Sequence, residues 1–291
     1  MPVSCECCEA AILLVFSRLQ YLTLFLLPPP PPPHLRNKGI FETIYYGACE
    51  ASVELAMKDG PYDSYPGSHA SNGILQFDMW GVCPSPRWDW AKLKQGIRIA
   101  GLRNSLLLAP MPTATTSQVL GNNEGTDPFL SNVYNHRVGA GEFIITNKYL
   151  VKELSAIGLW TNKVMKMIIA DRGSIQNIPN IPERIRSIFK TVWEIPQKDI
   201  LDMAADRGAF VCQSQSTNAY MAAPTISKLT SMHFHSWKIG LKTGMYYLRT
   251  RPKADPVQVT VEVADTHNKK VGGNAVCING EGSELCMSCG S

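Results

Sequence analysis

The order of apolar runs and helical patterns along this chain predicts an α/β fold with mainly parallel strands. Short apolar runs of strand length stand at 105–109, 208–214 and 245–250, and helical patterns fill the intervals between them. A chain of 291 residues with 45% apolar content can bury a real core. Prolines near the starts of several segments and glycines after their ends punctuate the helices in the expected sense.

The first 36 residues stand apart. Residues 10–27 are apolar, interrupted by Arg18 and Gln20, and six prolines follow at 28–33. The apolar run just reaches the length of a membrane-span candidate. As a signal peptide it is poor, because Glu6 and Glu9 occupy the place of a positive n-region and no small-residue cleavage site follows. The proline run predicts a stiff polyproline II spacer. Cys5, Cys7 and Cys8 lack the second pair of ligands that a zinc site needs. We read 1–36 as a leader unrelated to the rest, an alternative or mispredicted first exon.

The body follows in order. Ile40, Ile44, Ala48, Ala51 and Leu55 recur at helical spacing over 39–58, and Gly60 and Pro61 end the run. Residues 61–73 read as loop. A second helix over 88–100 is closed by Gly101. The apolar run 105–109 is a strand that delivers the stretch 110–124, and 121–137 is loop-like. Helices over 148–157 and 161–170 are parted by Gly158; further helices span 182–193 and 196–207, each with proline near its start. Residues 208–214 read as a buried strand, 225–241 as a helix and 245–250 as the last strand. From 253 the chain turns polar and Gly-rich without periodicity, so 253–291 reads as a mobile tail and 37–252 as the folded body.

Charge and cysteines exclude several classes. With 28 basic and 24 acidic residues the net charge of +4 is too small to argue for a nucleic-acid partner, and no basic stripe stands out. Nine cysteines, an odd number with irregular spacing, do not make a secreted disulfide framework. The chain reads as cytoplasmic, with a membrane role disfavoured.

Three stretches carry candidate chemistry. In 110–124, Pro110 and Pro112 stop regular structure. Thr113, Thr115, Thr116 and Ser117 then offer hydroxyls where a helix can begin. A strand end feeding such a helix start is a good anion site, although ordinary N-caps have the same composition. Tyr246 and Tyr247 are adjacent on the last strand, where neighbours point to opposite faces, so stacking them needs a distortion or a strand end. Aromatics filling a core are the plainer reading. Cys286 and Cys289 have the spacing of a redox pair; zinc ligation lacks its four ligands, since Cys277 alone does not complete the set. His233 and His235 read as packing or capping residues, no dinucleotide fingerprint surrounds the glycines, and no metal site is expected. Asp78, Glu124 and Glu142 stand unpaired and take no acid–base role.

The wording of 110–124, Pro-Met-Pro-Thr-Ala-Thr-Thr-Ser-Gln-Val-Leu-Gly-Asn-Asn-Glu, closely resembles the substrate-phosphate loop of the large subunit of eukaryotic class I ribonucleotide reductases. The likeness takes in 37–47, 73–80, 141–143, 204–210, 229–234 and 240–252, and closes with Cys-Met-Ser-Cys-Gly-Ser at 286–291. It implies that 37–252 is the second half of a ten-stranded α/β barrel, and that the chain corresponds to the C-terminal third of the family's. A half barrel leaves strand edges and an inner face uncovered, which favours association. The resemblance further implies that Pro112, Thr113, Ala114, Thr115 and Thr116 hold the phosphates of a ribonucleoside diphosphate. Tyr246 and Tyr247 would relay an oxidising equivalent from the small subunit's metal/tyrosyl radical. Cys286 and Cys289 would re-reduce the active-site disulfide and be reduced by thioredoxin or glutaredoxin. No cofactor is expected in this chain itself; the family's ATP and dNTP effectors bind in its N-terminal part, and its large subunits form homodimers.

The same resemblance exposes a gap. In the family a cysteine on a hairpin tip becomes the thiyl radical that abstracts the ribose 3′ hydrogen, and no Asn-x-Cys-x-Glu arrangement occurs in this sequence. The chain alone is therefore expected to have no turnover. The competing reading is a non-catalytic interaction protein that occupies the small subunit or thioredoxin, or completes a separate N-terminal half. A membrane-tethered protein built on 10–27 is the weakest.

Overall fold

The computed structural model describes residues 33–138 and 141–251. The apolar run of the leader and the tail, with Cys286 and Cys289, lie outside the described residues.

Helix α1, Pro33–Asp59, starts earlier than 39, with proline at its first position, where the missing N–H costs nothing. Its buried face is Phe41, Tyr45, Cys49, Val53 and Ala56. The stripe expected from sequence lay one residue away, and Leu55 on it is 44% exposed. Two adjacent stripes were apolar, and the one with the larger rings went inside because it removes more apolar area from water. The short α2, Gln76–Met79, begins where Leu75 N–H donates to Asp78 Oδ2 at 2.7 Å. Helix α3, Trp90–Ala100, is capped by Asp89 Oδ1, which accepts from Lys92 N at 2.9 Å. Gly101 closes it at φ +82°, with its Cα so near Pro61 that a Cβ would lie 2.6 Å from that ring. Phe77 packs edge-on against Trp90 at 4.7 Å and beside Phe210 at 5.9 Å. Glu42, 1% exposed in this core, has its Oε1 satisfied by Ser85 N, Ser85 Oγ and Trp90 Nε1.

The two inner strands expected at 105–109 and 208–214 do not form. Residues 105–109 form no ladder and are tied to their neighbour at isolated points: Gln213 N donates to Leu108 O at 3.1 Å, and Ser216 N to Pro110 O at 3.2 Å. Pro110 and Pro112 bring no donors, so no ladder can grow. The helix that precedes this run continues to Gly208, and 209–211 turn sharply inward, with Phe210 and Val211 wholly buried.

A second unit follows the loop. Strands β1, Val133–Val138, and β2, Gly141–Thr146, form an antiparallel hairpin where 121–137 read as loop. Helices α4 (Thr116–Val119, inside the loop), α5 (Lys148–Ala156), α6 (Asn162–Ala170) and α7 (Glu183–Ile188) complete the count to this point. Val133, Leu150, Leu154, Ile168, Ile175 and Ile185 make its core. The helix expected over 182–193 breaks after Ile188 and resumes as a single 3-10 turn, Val192–Glu194.

Helix α8, Gln197–Gly208, lies against α1, where Asn37 Nδ2 donates to Met203 O at 2.7 Å. Then β3 (Ala219–Met221), α9 (Ile226–Lys238) and β4 (Leu248–Thr250) make one parallel strand–helix–strand unit, with Ala219 opposite Leu248 and Met221 opposite Thr250. The described residues thus form a mixed helix and sheet fold, with one antiparallel and one parallel strand pair. No closed barrel forms among the described residues. No helix among them is long and apolar enough to cross a membrane.

Candidate functional site

Tyr246 and Tyr247 stand immediately before β4, at a strand end, where the alternation of faces lapses. Their rings meet at 4.2 Å between centroids with 58° between planes. The backbone stays on β3: Tyr246 N donates to Thr217 O and Ala219 N donates to Tyr247 O, both at 2.8 Å. The hydrogen bond with Tyr247 holds the Tyr246 phenol above its ordinary pKa. Both rings are about half exposed, and the Arg249 guanidinium lies over Tyr247 at 5.7 Å from the ring centre.

The 110–127 loop is anchored from within and from the strand pair. Thr113 takes φ +53°, and its Oγ1 accepts from Gly125 N at 2.8 Å, which folds the loop across itself. Ser117 N then donates to Thr113 O at 2.9 Å, and Asn122 N to Ser117 O at 2.8 Å. Ala114, Thr115 and Thr116 stand exposed, and Thr115 makes no capping bond with its side chain. The anion reading changes accordingly. No strand feeds the loop and α4 is one turn long, so a helix dipole contributes little, and the donors on offer are loop N–H groups and threonine hydroxyls.

Sequence reasoning missed the residues that join loop to strands. Glu124, left without a partner, accepts from Arg249 at 3.1 Å across 125 residues. Asp127 accepts from Asn218 Nδ2 at 2.6 Å and from Tyr220 OH at 2.7 Å. The buried Arg207 donates to Gln215 Oε1 at 2.5 Å and to Thr126 Oγ1 at 3.0 Å. Burial pulls its guanidinium down, with the charges of Asp127 and Asp206 opposing. Only Arg249 left a local trace, since it sits two residues beyond Tyr247 in the sequence. Beside this strand pair a groove is lined by Trp80, Gly208, Gln213, Gln215, Thr217 and Lys242.

The remaining candidates take structural places. Asp78 pairs with Lys94 at 2.7 Å, and His235 Nε2 meets Asp202 Oδ1 at 2.7 Å, joining α9 to α8. Cys49, Cys83 and Cys212 are free thiols, and burial pushes the Cys49 thiol well up, so it stays protonated. No group of three or more metal-ligating side chains occurs among the described residues.

Comparison with known proteins shows the family. The sequence profile of the ribonucleotide reductase barrel domain matches residues 34–247. The ribonucleoside-diphosphate reductase large subunit of Vaccinia virus (strain Copenhagen) is 57% identical over 253 residues, 87% of this chain and 32% of that protein. The protein of the same name from Dictyostelium discoideum is 61% identical over 227 residues, covering 78% of this chain and 26% of its own. Among solved structures, the Actinobacillus ureae class Id ribonucleotide reductase alpha subunit matches with a TM-score of 0.56 at 25% identity, over 75% of this chain and 34% of that one. The chain spans about a third of the length of the curated relatives it matches. On a profile that covers most of its length and identities above one half, the chain belongs to the ribonucleoside-diphosphate reductase large-subunit family.

Proposed function

We propose that this chain supplies three parts of ribonucleoside-diphosphate reduction: a phosphate cradle at Pro112, Thr113, Ala114, Thr115 and Thr116, a radical relay at Tyr246 and Tyr247, and a redox shuttle at Cys286 and Cys289. The observation that carries this reading is the contact of the two tyrosine rings on the strand pair that also anchors the loop. A phenoxyl on one tyrosine takes a hydrogen atom from the other's O–H. The acceptor becomes phenol, the donor becomes phenoxyl, and the oxidising equivalent advances by one residue. In the cradle, Thr113 Oγ1 accepts from Gly125 N and keeps its own O–H to donate to a phosphate oxygen. In the tail, one thiolate attacks the active-site disulfide, the second thiol resolves the mixed disulfide, and thioredoxin or glutaredoxin reduces the pair. The partners of this reading are the small subunit, which holds the metal and radical, and a second large subunit. Its setting is the cytoplasm, its architecture half of a ten-stranded barrel, and its ATP and dNTP effectors bind elsewhere in the longer family chain.

The sequence holds no Asn-x-Cys-x-Glu arrangement, so the chain alone has no thiyl site and no turnover. Grafted in place of the matching segment of a full-length relative, it should support CDP reduction with small subunit and thioredoxin. Tyr246→Phe or Tyr247→Phe should then abolish turnover and leave diphosphate affinity unchanged, because phenylalanine packs but forms no phenoxyl. Thr115→Ala should raise KM about tenfold. A Tyr247→Phe graft that still turns over ends the relay assignment, and CDP reduction by the ungrafted chain ends the claim of incompleteness. A second reading, a non-catalytic protein that occupies the small subunit or thioredoxin, is favoured by one observation: Ile226, Phe234 and Trp237 form an apolar stripe on α9, each at least 65% exposed.

A further inference from the structure

We propose that Asp127 is a positioning residue that fastens the phosphate loop to the tyrosine-bearing strand pair, so that cradle and relay keep one register. This rests on the reading of both sites given above and adds a group that neither uses. The loop leaves the body at Pro110 and returns at Thr126 and Asp127. At the return, Asp127 Oδ2 takes the two donors Asn218 Nδ2 and Tyr220 OH. The stretch that supplies those donors also supplies Thr217 O to Tyr246 N and Ala219 N to Tyr247 O. One short segment, 217–220, therefore holds the loop by side chains and the tyrosines by backbone. Arg207, 3% exposed, grips the preceding residue Thr126 and steadies Gln215, two residues before the same segment.

A second link joins the same parts, the Glu124–Arg249 pair, but its side chains are 32% and 38% exposed. Such pairs contribute little and are screened by salt. Asn218 and Tyr220 are 3% and 5% exposed, and Asn218 Oδ1 is buried without a partner. Removing the carboxylate there leaves two buried donors unsatisfied and uncovers the Arg207 charge, which decides in favour of Asp127 as the main fastener. Tyr220 is further wedged edge-on against Trp193 at 5.8 Å, so its hydroxyl cannot swing to another acceptor without repacking.

The test is amide hydrogen exchange on the whole, ligand-free chain. Asp127→Ala should speed exchange about tenfold both at Ser117 and Gly125 in the loop and at Tyr246 and Ala219 on the strands. Amides of α3 should keep wild-type rates, which separates local release from global destabilisation. Asp127→Asn, whose single oxygen can accept both donors, should restore most of the protection. Unchanged exchange at Tyr246 and Ala219 in Asp127→Ala overturns the inference, whatever the loop does. If that variant does not fold, Tyr220→Phe removes one donor and is read on the same four amides with the same two outcomes. Inorganic pyrophosphate tests the cradle separately: it should protect Gly125 and Ser117 in the wild-type chain. Its failure to do so sinks the phosphate reading while the ligand-free rates still decide the coupling.

Discussion

Thr113 holds φ +53°, a left-handed conformation that costs a β-branched residue about 1–2 kcal/mol. The bond from Gly125 N to its hydroxyl offsets part of that cost. Thr113→Gly should therefore leave stability within about 0.5 kcal/mol of wild type, because relief of strain balances loss of the bond. Thr113→Val keeps the strain and loses the hydroxyl, and should cost about 1–2 kcal/mol. Urea midpoints for the two variants compare them directly, and equal values would mean that the conformation stores no strain. At this scale the residue types were legible in the sequence and their partners were not. The hydroxyls of 113–117 pointed to an anion loop, and adjacent tyrosines pointed to a strand end. Nothing local marks Thr113 as the clamp on Gly125, Glu124 as the mate of Arg249, or Asp127 as the mate of Tyr220. Those pairings are made by the path of the chain between them, which residue types do not encode.

Among elements, α8 and α9 meet at Asp202, which takes Lys198 Nζ at 2.5 Å and His235 Nε2 at 2.7 Å. Burial raises the Asp202 carboxyl, but the hydrogen bonds and charges of Lys198 and His235 outweigh it, and the net shift is downward from 3.8. A depressed carboxylate contributes stability that is present above its unfolded pKa and is lost as pH falls through the folded one. Asp202→Asn should thus be less stable than wild type above 3.8, with the gap closing below it. The group is over a third exposed, so the gap should stay under about 1 kcal/mol. Denaturation midpoints across the acid range check this, and a gap that persists on acidification would remove the ion pairs from the account. Helices were the readable elements: apolar spacing with glycine and proline punctuation placed α3, α5, α6 and α9 to within a few residues, and the structure adds side-chain caps at Asp89, Asn147, Thr161 and Thr225. Strands were not. The apolar 208–214 is a helix end and a buried turn, since a short buried run has no periodicity to separate the two. The hairpin β1–β2 hides in Val-Tyr-Asn-His-Arg-Val, and β3 is three residues in a polar stretch.

For the whole molecule, the division of its apolar interior sets the expectation. The largest core cluster is built on α1, α2, α3 and the 209–211 turn; a separate one joins β1 to α5, α6 and α7; two small ones lie around β3 and α9. The clusters around β3 and α9, those nearest the tyrosine pair, are the smallest. Among the described residues each strand there is laddered to a single strand, and the outer edge of β3 is met only by a side chain, Gln197 Oε1 accepting from Tyr220 N at 2.7 Å. Nearby, Ile226 is 86% exposed, Trp237 77% and Phe234 65%, a stripe along one face of α9. A chain with a well-formed first core and a thinly covered last unit should fold yet self-associate. Sedimentation velocity on the purified chain should therefore report a weight-average mass that climbs with concentration. Phe234→Glu with Trp237→Lys should lower it toward 32.1 kDa without moving the urea midpoint, since neither side chain is part of a core. A wild-type chain that sediments as a monomer at every concentration would mean that the α9 stripe and the strand edges are tolerated in water, and the second functional reading would lose the observation that favours it.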